Sequence, residues 1–172
     1  GLTVAALSRA SRALGRADYL ERAKKCADFL LENMVSEKGE LFHVRAEGQS
    51  SVPGMLDDYA FLAWGLAELY EASFEPAYLA AALHLADKTD ELFADVETGG
   101  YFLSPRGSSE LPVRTKEHFD GALPSGQSAA AFALAKLSAL SGREDLEKRA
   151  RKCLASYPAI FRRAPTNYAM AC

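Results

Sequence analysis

The sequence predicts an all-α chain with small β-hairpins, laid out on the α/α toroid plan. Three observations carry the prediction. A helix–turn–helix unit occurs three times, the two helices of each unit differ in kind, and short connectors alternate with long ones.

The first unit runs from Ala6-Leu7-Ser8-Arg9-Ala10 through Gly15 to Tyr19-Leu20-Glu21-Arg22-Ala23. The second runs from Gly65-Leu66-Ala67-Glu68-Leu69 through Pro76 to Tyr78-Leu79-Ala80-Ala81-Ala82, and the third from Ala133-Leu134-Ala135-Lys136-Leu137 through Gly142 to Leu146-Glu147-Lys148-Arg149-Ala150. Equivalent positions 19, 78 and 146 are 59 and 68 residues apart, a spacing that belongs to stacked or ring-closed helix pairs. The repeats span about 1–55, 56–123 and 124–172 of a single domain. In this register Cys26, Leu85 and Cys153 coincide, so both cysteines read as small buried hydrophobes.

The first helices, near 2–14, 56–72 and 124–141, carry few charges, and the third has only Lys136. The second helices, near 17–34, 77–93 and 143–156, are amphipathic. In the first of these, Tyr19, Ala23, Cys26, Ala27, Leu30 and Met34 form a stripe at the 3.6-residue period, opposite Glu21, Arg22, Lys24, Lys25, Asp28 and Glu32. A helix apolar on nearly all sides is packed on both faces, whereas an amphipathic one keeps a face in water. The first helices therefore form an inner layer and the second an outer one. Trp64 and Tyr70, at helical spacing, read as core, and His84 as structural.

Links within a pair are short, at 15–17, 73–75 and 141–143. Pro76 suits a first helical position, with Glu75 before it as a cap. Links to the next inner helix, roughly 35–55 and 94–123, are long. Alternation at 39–45 and 99–104 predicts strands, with 111–115 as the possible partner of the second. All long links fall at the end where inner helices begin, and long loops on a rigid scaffold are where function concentrates.

With 172 residues, 49% apolar and 25% charged, the chain can build one real core. A net charge of -3 gives no reason to expect nucleic acid or an acidic membrane as partner. No apolar run approaches the roughly 18–20 residues of a membrane span, and no signal peptide is visible. Cys26, Cys153 and Cys172 make an odd count, which points to a reducing, cytoplasmic compartment. Both ends read as cut, the second soon after a turn-like 162–167 segment, so a piece of a longer protein is expected. No phosphate loop, zinc spacing, HExxH or GxSxG occurs, and no cofactor or metal is expected.

The chemistry-bearing residues collect at the end that holds the long links. Asp57 and Asp58 open the second inner helix, and Asp120 precedes the third within the small and polar stretch 119–128. Inner-helix N-termini aim unpaired N–H groups into the mouth of a ring, which suits hydroxyl or anionic ligands. Asp58 and Asp120 are candidate acid and base on a sugar, with His118 as a further proton-shuttle candidate. Asp57, Tyr59, Lys116, Ser125 and Gln127 are candidate ligand contacts, and His43, on a strand face with Leu41 and Arg45, could line the mouth. The structural alternatives are equally definite. Asp57 or Asp58 is an N-cap, Asp120-Gly121 is a turn, Lys116 is a solvated charge, and Pro124 pre-sets the first turn of the third inner helix.

Leu56-Asp57-Asp58-Tyr59-Ala60-Phe61-Leu62, Leu69-Tyr70-Glu71-Ala72-Ser73, Leu92-Phe93 with Gly99-Gly100-Tyr101-Phe102, Val113-Arg114-Thr115-Lys116 and Asp120-Gly121-Ala122-Leu123-Pro124-Ser125-Gly126-Gln127-Ser128 occur in that order. Together they resemble the C-terminal region of the DUF255 family, the bacterial YyaL-type and spermatogenesis-associated protein 20-like proteins. The resemblance implies a thioredoxin-like domain followed by a six-hairpin (α/α)6 domain, similar to N-acylglucosamine 2-epimerases and glycosidases. This chain would then be about half of that toroid, with the other half and the thioredoxin-like domain as partners. Departures from the family pattern are Asp57, Thr115 and Gln127, where glutamate, proline and asparagine are usual. A half toroid leaves inner surface bare, so self-association is expected. Two functions follow: a carbohydrate-binding or carbohydrate-modifying domain, as an epimerase, isomerase or glycosidase would use, and a non-enzymatic helical-repeat scaffold.

Overall fold

A computed structural model describes residues 1–108, 113–157, 167, 169 and 170. Three helix pairs follow one another: α1 (Leu2–Leu14) with α2 (Ala17–Asn33), α3 (Leu56–Ser73) with α4 (Pro76–Phe93), and α5 (Gly126–Ser141) with α6 (Glu144–Ala155). A hairpin of β1 (Phe42–Ala46) and β2 (Gln49–Pro53) separates the first two pairs. The pairs and their order are those the repeat predicts.

Helix α3 holds the centre. It packs on α1 on one side and on α5 on the other, and each inner helix has its outer partner behind it. The middle of α3 is buried almost continuously from Leu62 to Leu69, with only Trp64 partly open. Helix α5 buries Ala129, Ala130, Ala131, Ala133, Leu134 and Leu137, small enough side chains to bring inner helices close. The outer helices bury a single stripe, such as Leu146, Ala150 and Cys153 on α6. Cys153 is thus a core residue, as its register requires, but Cys26 is only half-buried. Helix α2 lies at the end of the row and buries only Ala23 and Ala27. Cys172 and the residues from 158 to 166 lie outside the described residues.

The helix ends correct two expectations. Glu75 is the N-cap residue of α4 and Pro76 its first helical residue, but the Glu75 side chain makes no capping bond; its carboxylate instead meets Lys24 Nζ at 2.7 Å. Pro76 removes one of the unpaired N–H groups at that end, and the Tyr78 N–H reaches the Glu75 carbonyl at 3.2 Å. Pro124 lies outside α5, because Ser125 is the N-cap, its Oγ accepting from the Ser128 N–H at 3.2 Å.

The links differ from expectation as well. Residues 39–45 contribute β1, whose partner is the unforeseen β2, with Phe42 opposite Pro53 and Ala46 opposite Gln49. Residues 99–104 form no strand; Tyr101 bridges Ala94, the Phe102 N–H donates to Phe93 O and the Leu103 N–H to Thr115 O, both at 2.8 Å, and Leu103 O accepts from the Leu56 N–H at 3.0 Å. Gly99 and Gly100 both adopt positive φ there, which breaks an extended run. Residues 111 and 112 of the expected partner strand lie outside the described residues.

Helices α1 and α5 end on left-handed glycines, Gly15 and Gly142. The equivalent residue in the middle repeat is Phe74, held at φ 55 with 76% of its surface exposed. A left-handed non-glycine residue costs about 1 kcal/mol, and the compensation here is an edge contact with Tyr70 at 6.3 Å between ring centres. Phe74→Gly should therefore raise unfolding stability by about 1 kcal/mol in urea titrations. A loss of stability would mean that the Tyr70 contact outweighs the strain.

Candidate functional site

The first turns of α3 and α5 meet side by side at the end from which the long links emerge. Gly126, the first residue of α5, leaves no room there, since a Cβ would stand 2.9 Å from Leu56 Cγ and collide with Asp57 Oδ1. The Asp57 carboxylate thus lies against the start of α5. Burial raises its pKa, the neighbouring Asp58 adds to this, and the Gly126 N–H opposes it. Its Oδ1 is shielded from solvent without a well-directed hydrogen bond.

Asp58 faces the other way. Its Oδ2 accepts from the Met55 N–H at 2.8 Å, closing the N-terminus of its own helix. The same oxygen lies 2.8 Å from His43 Nδ1 on β1. Beside this pair is a cavity of about 170 Å³ lined by Leu30, Met34, Phe42, His43, Asp58 and Phe61, among others. Tyr59 points into the core, 1% exposed, with its hydroxyl accepting from the Leu41 N–H at 2.8 Å and its ring edge-on to Phe93. Burial pushes its phenol up to about 12.

The loop before α5 is a second polar cluster. Asp120 Oδ1 accepts from the Ser125 N–H and Oδ2 from the Met170 N–H, both at 2.8 Å. Ser125 Oγ lies 3.0 Å from Ser128 Oγ, which in turn meets the Tyr157 hydroxyl at 2.6 Å. Gln127 is fully buried, and its Oε1 accepts from Tyr101 N–H at 2.9 Å and from Cys153 Sγ at 3.1 Å. Its Nε2 lies 3.3 Å from His118 Nε2, and the His118 ring stands edge-on to Tyr157. Burial lowers the His118 pKa, helped by the charge of Lys116. Lys116 itself is spent within the chain, on Asp95 at 2.7 Å, Thr98 Oγ1 at 2.7 Å and the Gly99 carbonyl. That bond holds the Asp95 carboxyl far below the usual range. Arg114 donates to the Ser104 and Leu92 carbonyls and stacks on Phe102.

The structure thus pairs Asp58 with His43 on one side of the first turn of α3 and sets Asp57 on the other, against the start of α5, with Asp120 and Ser125 at that adjoining helix end. Lys116, Gln127 and Tyr59 bond inward. A feature missed in the sequence is the far end of the inner layer. Glu68, 2% exposed, is bridged by Arg12 of α1 and by Lys136 of α5, the latter at 3.1 Å, and receives Trp64 Nε1 at 3.2 Å. Glu71 joins the same two cations, at 2.9 and 2.6 Å. The signal was present, since Asp57, Phe61, Trp64, Glu68 and Glu71 recur every three to four residues along an otherwise apolar helix.

A larger cavity of about 250 Å³ lies between the hairpin and residues 105–108; the charged residues that line it are Glu40 and Arg106. Among the described residues no group of three His, Cys, Asp or Glu is placed to hold a metal. No helix of the described residues is long and apolar enough to cross a membrane.

The chain is homologous to spermatogenesis-associated protein 20 of Rattus norvegicus, with 37% identity over 175 residues, and to that of Homo sapiens, with 36%. An uncharacterized protein of Caenorhabditis elegans is 32% identical over 161 residues. The chain spans 22% of the length of each of these curated relatives. All are animal proteins, so none supports the bacterial source that the resemblance to YyaL-type proteins suggests. No family model matches the chain. Among solved structures it is similar to a cellobiose 2-epimerase from Bacillus thermoamylovorans, with TM-score 0.72 and 21% identity over 88% of this chain and 41% of that one. It is also similar to a glycoside hydrolase family 76 mannosidase from Bacteroides thetaiotaomicron, with TM-score 0.74 and 16% identity over 90% of this chain and 41% of that one. A D-mannose isomerase gives TM-score 0.74 and 21% identity, over 89% and 40%. The fold is a partial (α/α)6 toroid.

His118 makes stability depend on pH. Its folded pKa lies below the ordinary value near 6.5, so the unfolded chain takes up the proton first as pH falls. The contribution is complete above about pH 6.5 and is lost as pH falls through the depressed folded value. His118→Gln should make the loss of stability between pH 7 and pH 5 shallower than in the unmodified chain, measured by urea denaturation at each pH. An equal slope would remove His118 from the account.

Proposed function

We propose that the chain is part of a carbohydrate-binding or carbohydrate-modifying domain of the six-hairpin glycosidase type, with the ligand at the ring mouth against the first turn of α3. The observation that carries this reading is the mouth cavity, where the half-buried Asp58 carboxylate stands beside an aromatic and aliphatic wall that includes Phe61 and Phe42. A polar group on an apolar wall is what a sugar ring requires, hydroxyls to the one and C–H faces to the other. The similarity of fold to sugar epimerases, an isomerase and a mannosidase supports the same ligand class.

In this proposal Asp58 is the carboxylate at the cavity, and Asp57 lies on the opposite side of the same turn, against α5. Asp120, Ser125, Gln127 and Lys116 shape the mouth rather than touch the ligand, because their polar groups are already bonded within the chain. Membership of the DUF255 family, and a longer protein in which the rest of the toroid and a thioredoxin-like domain are partners, belong to the same proposal. The 22% share of the curated relatives supports it. The second reading, a non-enzymatic scaffold, is favoured by those same inward bonds.

Calorimetric titration of the intact protein with D-mannose, cellobiose and N-acetylglucosamine separates the two. Asp58→Asn should weaken binding of the preferred sugar at least tenfold, about 1.4 kcal/mol, while Lys116→Met changes folding stability more than affinity. Absence of binding to every sugar favours the scaffold.

A further inference from the structure

We propose that His43 and Asp58 form a proton-transfer pair, with His43 Nε2 as the atom that meets a sugar hydroxyl and Asp58 as the residue that positions it. This rests on the sugar-binding reading and adds to it the group that handles the proton.

Asp58 Oδ2 receives the Met55 N–H at 2.8 Å, and the same oxygen lies 2.8 Å from His43 Nδ1. An ionised carboxylate can only accept, so Nδ1 carries the hydrogen and Nε2 keeps its lone pair in the neutral ring. Nε2 has no partner among the described residues, and the His43 side chain is 51% exposed. The imidazole is not needed to satisfy Asp58, which already closes its helix through Met55. The strand that carries it is anchored on both sides of His43. Leu41, two residues before it, is tied to α3 by the bond from its N–H to the Tyr59 hydroxyl, and the hairpin register fixes Val44 opposite Ser51. The cavity beside the pair, about 170 Å³, has an otherwise apolar side-chain lining, and the Gly1 amino group at the start of α1 also borders it, close enough to interact with the Asp58 charge. It is smaller than the roughly 300 Å³ at which drug-sized pockets begin, which suits a single sugar ring. A histidine oriented by a carboxylate on such a wall can accept a hydroxyl proton at Nε2 while the O–H electron pair stays on the sugar oxygen, and return the proton to that oxygen.

The test uses the intact protein with ¹⁵N-labelled histidine and D-mannose as probe. In the free protein His43 should show the Nδ1-protonated tautomer, and its Nε2 resonance should shift as D-mannose is added. Asp58→Asn should change the tautomer balance, a response that a capping role alone would not produce at His43. His43→Gln should weaken D-mannose binding at least tenfold with the melting temperature unchanged, since the residue is half exposed. Three results overturn the inference while leaving sugar binding intact: the Nε2-protonated tautomer, a silent Nε2 during saturable binding, and unchanged affinity in His43→Gln. Failure of D-mannose, cellobiose and N-acetylglucosamine all to bind removes the sugar reading and this inference with it.

Discussion

Position 126 has space for a glycine and for nothing larger, and the arrangement of the mouth follows from that contact. With no side chain in the way, the first turn of α5 rests on Leu56 and Asp57 of α3. Two helix N-termini then stand side by side with their positive ends together, and each has N–H groups that lack partners in the helix. The acids answer this. Asp57 lies on the start of α5, Asp58 closes α3, and Asp120 holds the N-cap residue Ser125. A charge at a helix end is worth about 0.3–1 kcal/mol, and up to about 2 kcal/mol when partly buried. Those magnitudes account for Asp58 and Asp120 without any ligand, whereas at Asp57 burial outweighs them and raises the pKa. What they leave unexplained is the side of Asp58 that turns to His43 and the open cavity.

The inner wall therefore has three zones along α3. The mouth is acidic, the middle is aromatic with Trp64 edge-on to Phe132, and the far end is a four-membered charge network of Arg12, Glu68, Glu71 and Lys136. Removing one partner of a buried ion pair costs on the order of 3 kcal/mol, so that network ties three parallel helices at the end away from the loops. A rigid far end and a loop-built mouth are complementary, because one fixes helix spacing and the other is free to vary.

The helices were legible because periodicity and a three-fold repeat are local signals. The second strand was not, since Gln49-Ser50-Ser51-Val52-Pro53 has no apolar alternation and forms only by pairing with β1. The gathering of Asp57, Asp58 and Asp120 followed from where inner helices begin. Their roles did not, because each depends on a partner far away in sequence. Lys116 finds Asp95, Gln127 finds Tyr101 and Cys153, and Asp120 finds Met170. No spacing in the chain encodes those contacts. His43 was placed at the mouth by strand alternation, but its pairing with Asp58 arises only when the hairpin folds back on α3.

The mouth of this partial toroid is proposed to be a ligand site and not merely a satisfied helix end. The most direct measurement is a crystal structure of the intact protein grown with D-mannose or cellobiose. The account predicts sugar density against Phe61 with hydroxyls turned to Asp58 and His43. A mouth filled by the protein's own side chains, with no sugar there, would contradict it.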